Sequence, residues 1–596
     1  MQYPTLLEYM KAIQDAGNNL DKLSHLSVVL DGHGEPYHIS GDSSVVFKMQ
    51  DKTTGKCYAL KCFTKAQKGC ADASSNSSSV KYLEKELLVL SQGKEEKYPV
   101  LLMDWVDGDS LGASQLKVED MSTEATKAEL NEAITDEFSV KYSKDGRKLL
   151  KVPQKLKGTY AIKEGTKIIC DRAFEDCKSL RSLVIPNSVT SIGESAFSFC
   201  SSLKSIVLPD GITSIGDETF FGCSSLASLV IPDGVTSIGN GAFAYCGSLK
   251  NLVLPESVVS IKGNLFCKWN GEVKCLSPNF IFEDGVLFNK DKSTIISFRD
   301  KDITSYVIPD SVVSIGDGAF SFCESLKNIV LPNGITSIGF CVFQHCRSLK
   351  SLVIPDSVTS IDTLAFCYCE SLTSLVIPDG VTSIGDGAFC TCESLESFVI
   401  PGGVTSIEKM AFSGCKSLKS IVIPDGVTSI GSGAFSGCES LKSIVIPDSV
   451  TCIGNRAFEY CFSLKSLVLS KSLTSIGDWA FNMAESLKSL VIPDSVTSIG
   501  DYAFSGCRSL KSLVISNSVT HIAVGAFLSC TSLSSVVIPD GVTSIGEGAF
   551  IGCESLKSIV LPDGVVSIEK DAFRDCNFPN DFKQKLISRF GDKIFG

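Results

Sequence analysis

The sequence contains no apolar run of about 18 residues, and this absence predicts that no conventional transmembrane helix is present. Charged residues are few, 20% of the chain, while 44% of the residues are hydrophobic. That balance excludes a disordered chain. The formal net charge is -12, so there is no positive excess to attract nucleic acid or an anionic membrane. We therefore expect a soluble, folded protein that binds neither nucleic acid nor membrane.

Residues 1–20 lack the basic start and continuous apolar run of a secretory signal. Apolar side chains there have helical spacing, as Leu6, Met10 and Ile13 show, and this predicts an amphipathic helix. The expected compartment is therefore the cytoplasm.

Histidine is scarce. The five histidines (25, 33, 38, 345 and 521) form no recognisable metal or nucleophile motif. The sequence accordingly predicts a protein that is not an enzyme and carries no cofactor.

A repeat of 23 residues occupies most of the sequence, and a phenylalanine at a fixed position marks each unit most clearly. At 596 residues the chain exceeds what one core serves, so a repeat array or several domains are expected. One interval of 54 residues, between Phe266 and Phe320, interrupts an array that spans roughly 138–576. The repeat phenylalanines are 174, 197, 220, 243 and 266, then 320, 343, 366, 389, 412, 435, 458, 481, 504, 527, 550 and 573.

Each unit predicts a short strand followed by turns. Leu441, Ile444 and Ile446 occupy the positions of an L-x-x-L-x-L strand with one buried face. Pro447 ends that strand, because proline cannot donate to a central ladder. Phe458 then supplies a large side chain for the interior. One coil cannot bury these residues alone, so neighbouring coils must stack into a continuous core.

These units resemble the BspA-like leucine-rich repeats, whose signature is I-P-x-x-V-x-x-I-G-x-x-A-F-x-x-C-x-x-L. The resemblance covers about three-quarters of the chain. It implies an α/β-solenoid, a leucine-rich-repeat array of 23-residue coils with a small α+β N-terminal module, and it implies protein–protein contact without naming a partner.

The 54-residue interval predicts an internal cap. The stretch from Phe288 to Ile295 is similar to that from Tyr142 to Leu149, and each precedes its next repeat phenylalanine by 32 residues. Both stretches predict β-hairpins. We therefore expect a first repeat segment at 138–276 with an N-terminal hairpin cap, a second segment at 277–576 that begins with a hairpin unit, and a C-terminal capping helix at 577–596.

Fifteen of the 25 cysteines lie three residues after a repeat phenylalanine. Because Trp269 and Ala484 replace cysteine in two units, the position is expected to be buried, with reduced thiols that act as small hydrophobic groups. Reduced thiols favour a reducing compartment. An alternative is a metal site formed by Cys367, Cys369, Cys390 and Cys392, although C-x-C is not the usual zinc spacing.

A valine lies between the two inward aliphatic residues of the strand in every well-formed unit, and it should point away from the core. Its uniformity fits either the β-propensity of valine or an apolar recognition stripe. We take the stripe as the candidate protein-binding site, centred on Val353, Val376, Val399, Val422, Val445 and Val468. A lysine column and an acidic column accompany it, and such opposed columns are typical of a solvated face rather than an anion site.

Residues 1–112 resemble a degenerate protein-kinase small lobe, followed by an acidic, helix-prone linker at 113–137. Lys61 matches the V-A-I-K lysine, which makes it a possible nucleotide contact. Only Gly41 remains of the glycine-rich loop, and the segment 81–90 has room for a helix or a strand but not both. H-R-D-x-x-x-x-N and D-F-G motifs are missing, so phosphoryl transfer is not expected.

Three functions follow from these patterns. The first is a non-catalytic scaffold that binds protein partners through the solenoid. The second is a cell-surface adhesin, as some proteins with similar repeats are. The third is a nucleotide-binding pseudokinase with a regulatory solenoid.

Overall fold

The computed structural model describes residues 26–28, 38–41, 44–52, 57–63, 80–91, 94–104, 122–299 and 303–596, and the predicted helix at 1–20 lies outside them. The chain forms two compact units, Met1–Asp120 and Met121–Gly596.

The described part of the first unit is an antiparallel sheet. Its strands are β1 (Leu26–Val28), β2 (His38–Gly41), β3 (Ser44–Asp51), β4 (Cys57–Phe63), β5 (Val80–Ser91) and β6 (Lys94–Asp104). The order is β1-β3-β4-β6-β5, with β2 also paired to β3. Phe47 is opposite Leu60 in the register, and both side chains are buried. The segment 81–90 is therefore a strand, not a helix.

The second unit is a stack of coils in which parallel strands pair at an interval of 23 residues, as Ser443 does with Ser466 and Ser475 with Ser498, and this confirms the predicted solenoid of 23-residue coils. The strands of the first side of the coil are Lys157–Ala161, Ser179–Val184, Ser205–Ile206, Asn251–Leu254, Glu272–Cys275, Ser305–Val307, Asn328–Val330, Ser351–Val353, Ser374–Val376, Ser397–Val399, Ser420–Val422, Ser443–Val445, Ser466–Val468, Ser489–Val491, Ser512–Val514, Ser535–Val537 and Ser558–Val560.

A second side of the coil carries a shorter set of strands. They are Lys148–Lys151, Ile168–Ile169, Ser191–Ile192, Ser214–Ile215, Ser237–Ile238, Ser260–Ile261, Thr294–Phe298, Ser314–Ile315, Ser337–Ile338, Ser360–Ile361, Ser383–Ile384, Ser406–Ile407, Ser429–Ile430, Cys452–Ile453, Ser475–Ile476, Ser498–Ile499, His521–Ile522, Ser544–Ile545 and Ser567–Ile568. The isoleucine of each pair points inward while the preceding residue faces outward, because side chains alternate along a strand.

The third side is made of turns around the repeat phenylalanine. The amide of Phe435 donates to the carbonyl of Ala457 in the next coil, whereas the amide of Cys438 bonds locally to the carbonyl of Phe435. Residues two before and two after the phenylalanine have positive φ, as at Gly433 and Gly437. Because the backbone conformation alternates in this way, every second amide points along the stack toward the next coil. Backbone hydrogen bonds between coils therefore continue on this side without a helix. The α part of the expected α/β coil is thus confined to the ends of the array.

The first coils are closed by a meander and a short helix. Strands Ile134–Thr135, Lys141–Tyr142 and Lys148–Lys151 are antiparallel, with Tyr142 opposite Leu149. Helix α1 (Lys127–Asn131) begins at a capping box formed by Thr126 and Glu129, and Leu130 packs against the first coils. Residues 122–137, assigned from sequence to a linker, are therefore part of this end of the solenoid; residues 113–121 lie outside the described chain.

A second meander crosses the array at the 54-residue interval. Its strands are Phe280–Glu283, Val286–Asn289 and Thr294–Phe298, and Phe288 is opposite Ile295 in the same register as the first hairpin. One face of this sheet belongs to the core of the preceding coils and the other to the core of the following coils. The sheet therefore separates two hydrophobic cores.

Helix α2 (Asn580–Phe590) and a 3-10 turn (Asp592–Phe595) cover the last coil. Leu586 and Ile594 are buried there, and the amide of Phe573 donates to the carbonyl of Ile594. The turn thus supplies the backbone acceptor that a further coil would have supplied. Within the described ranges, neither helix has the length and apolarity needed to cross a bilayer.

Candidate binding surfaces

The valines of the first side form an exposed ladder. Sixteen valines, one per well-formed coil, are exposed, by between 41% (Val253) and 80% (Val207) of their surface. Each valine lies between two apolar residues that are buried in most coils, such as Ile444 and Ile446 beside Val445. Adjacent parallel strands are about 4.8 Å apart, so the valines form a regular apolar stripe along the array. The six valines chosen from the sequence all lie in it. We call this surface the valine face.

Charged columns border the valine face on both edges. Lysine or arginine precedes the strand in most coils, as at Lys442, and an acidic residue follows the proline, as at Asp448. Both positions are exposed. They lie six positions apart in the chain, which corresponds to a distance of roughly 15–20 Å across the sheet. Few of these charges form salt bridges with other described residues of the chain. Salt bridges join Lys419 to Glu396 at 2.8 Å and Lys471 to Asp448 at 3.7 Å.

Beneath this surface, the repeat phenylalanines form two ring stacks, one from Phe174 to Phe243 and the other from Phe320 to Phe573. The rings of Phe458 and Phe481, for example, are parallel within 3° with centroids 5.1 Å apart. Because each ring is buried and contacts the next ring of its stack, the two stacks fix the spacing of the coils. The valine face therefore rests on a rigid, close-packed support.

The cysteine column has a hydrogen-bonding role that the sequence did not show. The Cys438 thiol donates to the carbonyl oxygen of Phe412, the repeat phenylalanine one coil earlier, at 3.3 Å. Thirteen of the fifteen column thiols make this bond, at 3.1–3.6 Å. Burial raises the pKa of the Cys461 thiol to about 12, and it also raises the pKa of Cys369 and Cys415. Among the described residues, the column cysteines form no disulfide.

The four cysteines of the metal alternative do not converge. The thiols of Cys369 and Cys392 point inward and donate to carbonyl oxygens, while Cys367 and Cys390 hydrogen-bond to each other. That bond and burial raise the pKa of Cys367. In the described parts of the chain, no group of three or more histidine, cysteine or acidic residues is arranged to hold a metal ion.

An aromatic ridge on the third side was not predicted from sequence. It contains Phe199, Phe221, Tyr245, Phe322, His345 and Tyr368, with successive ring centroids 4.3–5.5 Å apart. His345 is sandwiched between Phe322 and Tyr368, and burial, then Arg347, lowers its pKa. All but Phe221 lie two residues after a repeat phenylalanine, so a search of that position would have found them. The rings of Phe322, His345 and Tyr368 are stacked, whereas the other contacts of the ridge are tilted or edge-on.

The remaining irregular positions are dispersed. Trp269 is buried, and its indole donates to the carbonyl of Leu249 at 2.6 Å. Trp479 stacks on Tyr502 at 4.2 Å on the third side, and His521 bonds to Ser544 on the second side. Lys61 lies in β4, but its side chain is outside the described residues. Its nucleotide contact remains a prediction.

Comparison with protein families decides the class of the array. The model of the BspA type leucine rich repeat region matches in six copies, over residues 158–272, 295–419, 405–534 and 520–596. The chain belongs to the BspA-type leucine-rich repeat family. The resemblance inferred from the repeat signature is thereby confirmed, whereas the kinase-like N-terminal region has no support from the comparisons.

Solved structures similar to this BspA-type protein are bacterial. A leucine-rich repeat protein from Bacteroides ovatus is 29% identical and covers 53% of this chain and 96% of its own, with a TM-score of 0.39. A leucine rich cell surface protein from Faecalibacterium prausnitzii is 30% identical and covers 53% and 98%, with a TM-score of 0.38. Among curated proteins, none is similar enough in sequence to match.

Proposed function

We propose that this protein is a non-catalytic scaffold that binds other proteins through its valine face. The observation that carries the proposal is the exposure of all sixteen valines at the same position of their coils. Contiguous apolar surface of this extent is typical of interaction sites. A rigid core supports it, so little conformational entropy would be lost when a partner binds.

The position of the valines supports a binding role more than a purely structural one. The threonines of the second side, such as Thr405, are equally exposed in the same coils but donate hydroxyl hydrogen bonds along the stack, as Thr428 does to the Thr405 carbonyl. Threonine has the β-propensity that the strand requires, yet the first side uses valine instead. Strand propensity alone therefore does not account for the choice.

The experiment compares two triple variants of the full chain. In the first, Val376, Val399 and Val422 are changed to aspartate; in the second, the control, Thr382, Thr405 and Thr428 of the second side are changed to aspartate. Cells are cross-linked, and the proteins attached to each variant are quantified by mass spectrometry. Partners should be lost from the valine variant and retained by the control. Retention by both variants would refute the proposal.

For the compartment, we propose a reducing one, such as the cytoplasm. Within the described residues the column cysteines form no disulfides, and most of their thiols donate to backbone carbonyls as Cys438 does, which is the arrangement expected in a reducing compartment. The rival is the cell surface, the location named for the Faecalibacterium prausnitzii protein. Protease treatment of intact cells decides between them, since only a surface-exposed array would be cut.

A further inference from the structure

The two edges of the valine face carry opposite charges, and this asymmetry restricts what the face can accommodate. The lysine column precedes the strands and the acidic column follows them, so the face has a positive and a negative edge along most of its length. In the coils from Leu326 onward, the positive edge holds Lys327, Lys350, Lys419, Lys442, Lys465, Lys488, Lys511 and Lys557, and the negative edge holds Asp356, Asp379, Asp425, Asp448, Asp494, Asp540 and Asp563.

We propose that the valine face binds the valine face of a second copy of this chain, in a parallel dimer whose twofold axis runs along the solenoid. The inference rests on the proposed function and names its partner. Rotation about that axis reverses the strand direction but keeps the direction of the array. It therefore sets the positive edge of one copy opposite the negative edge of the other. A twofold axis along the strands would instead place lysine opposite lysine.

The coils that depart from the pattern mostly agree with this arrangement. Where the positive edge carries Glu396, the negative edge of the same coil carries Gly402, so acidic groups do not face each other. The coil of Lys465 is the exception, since Lys471 stands in its negative edge. The ammonium group of Lys471 lies 3.7 Å from Asp448 of its own chain, which offsets the repulsion. Like charges that faced each other throughout would oppose association.

The available area is also sufficient. From Val330 to Val560 the stripe runs ten coil steps of about 4.8 Å each and is about 20 Å wide, which gives roughly 900–1,000 Å² per copy. A stable interface of standard size buries about 800 Å² on each partner. Two flat sheets pack face to face at about 10 Å, a distance that lets the valines of both copies interdigitate.

The test is a charge exchange in the full-length protein, followed by analytical ultracentrifugation. One variant carries Lys419→Glu and Lys442→Glu, and the other carries Asp425→Lys and Asp448→Lys. The unmodified chain should sediment with twice its mass of 63.7 kDa. Each variant alone should dissociate at least tenfold more readily, because like charges now face each other. Their mixture should recover the dimer as a heterodimer, since the opposed columns are again complementary.

Controls separate this inference from the proposed function. Thr405→Lys with Thr428→Lys, on the second side of the same coils, should leave the dimer intact. A wild-type chain that stays monomeric at micromolar concentration would overturn the dimer, and so would a mixture that forms no heterodimer. If a different protein is then lost from the valine-face aspartate variant, the scaffold proposal stands without the dimer. If no partner is lost either, both fail.

Discussion

Leu287 and Phe288 are consecutive in the chain, yet their side chains lie in two different hydrophobic cores. They occupy opposite faces of the strand Val286–Asn289, because side chains alternate along a strand. Leu287 packs with the coils up to Phe266, and Phe288 packs with the coils from Phe320 onward. The internal meander therefore closes one stack of coils and starts the next.

This arrangement predicts that the two residues stabilise different parts of the array. Leu287→Ala should raise hydrogen exchange mainly in the coils at 230–266, whereas Phe288→Ala should raise it mainly at 314–345. Each substitution should cost about 2–5 kcal/mol locally, as removal of a large buried side chain does. Hydrogen-exchange mass spectrometry on the two variants measures the pattern. An identical pattern for both would show that the cores are one unit.

The phenylalanine stack predicts that substitutions at buried and at exposed positions of one coil have very different effects on stability. Phe435→Ala should destabilise its coils by about 3–5 kcal/mol, because the ring is fully buried between two others. Val445→Ala in the next strand should change the stability of the single chain by no more than about 0.5 kcal/mol, because its side chain is exposed when no second copy is bound. Denaturant unfolding of the two variants compares them. Equal losses would contradict the placement of these residues.

The thiol bonds predict a mild but specific stability effect. Cys438→Ala removes the donor to the Phe412 carbonyl and should cost about 1–2 kcal/mol. Ala484 occupies the equivalent position naturally and is buried, so the substitution should not prevent folding. Ala484→Cys serves as the reverse experiment and should stabilise its coil. Thermal unfolding measures both, and a shift of the same sign for the two variants would contradict the hydrogen-bonding role.

Alkaline pH should unfold the array. Burial raises the pKa of Cys461 to about 12 in the folded chain, above the value of about 8.5 in an unfolded one. Above that lower value the folded state holds more protons, so stability is fully present below about pH 8.5 and is lost as the pH rises toward 12. At pH 8, iodoacetamide should label the partly exposed Cys452 before Cys461. Labelling of both at one rate would show that the column is open to solvent.

The sequence predicted the repeating parts of the structure because the same residue pattern recurs in every coil. A period of 23 residues places Phe435 inside and Val445 outside once one coil has been interpreted. Structural features that occur only once in the chain were harder to predict, because no repeated pattern marks them. The helix α1 spans five residues, which is too short for a periodic pattern of apolar residues. In the sequence, only the pair Thr126 and Glu129 marks its capping box. The ridge around His345 depends on residues in positive φ, where no strand or helix pattern applies.

The central claim is that the valine face is where this protein contacts other protein chains, and photo-cross-linking from single positions tests it most directly. A photoreactive residue replaces Val399 in one chain and Thr405, six residues later on the second side of the same coil, in another. The account predicts cross-linked protein from Val399 and little from Thr405, with the valine face of a second copy as the attached segment. Equal cross-linking from both positions, or cross-linking from Thr405 alone, would contradict it.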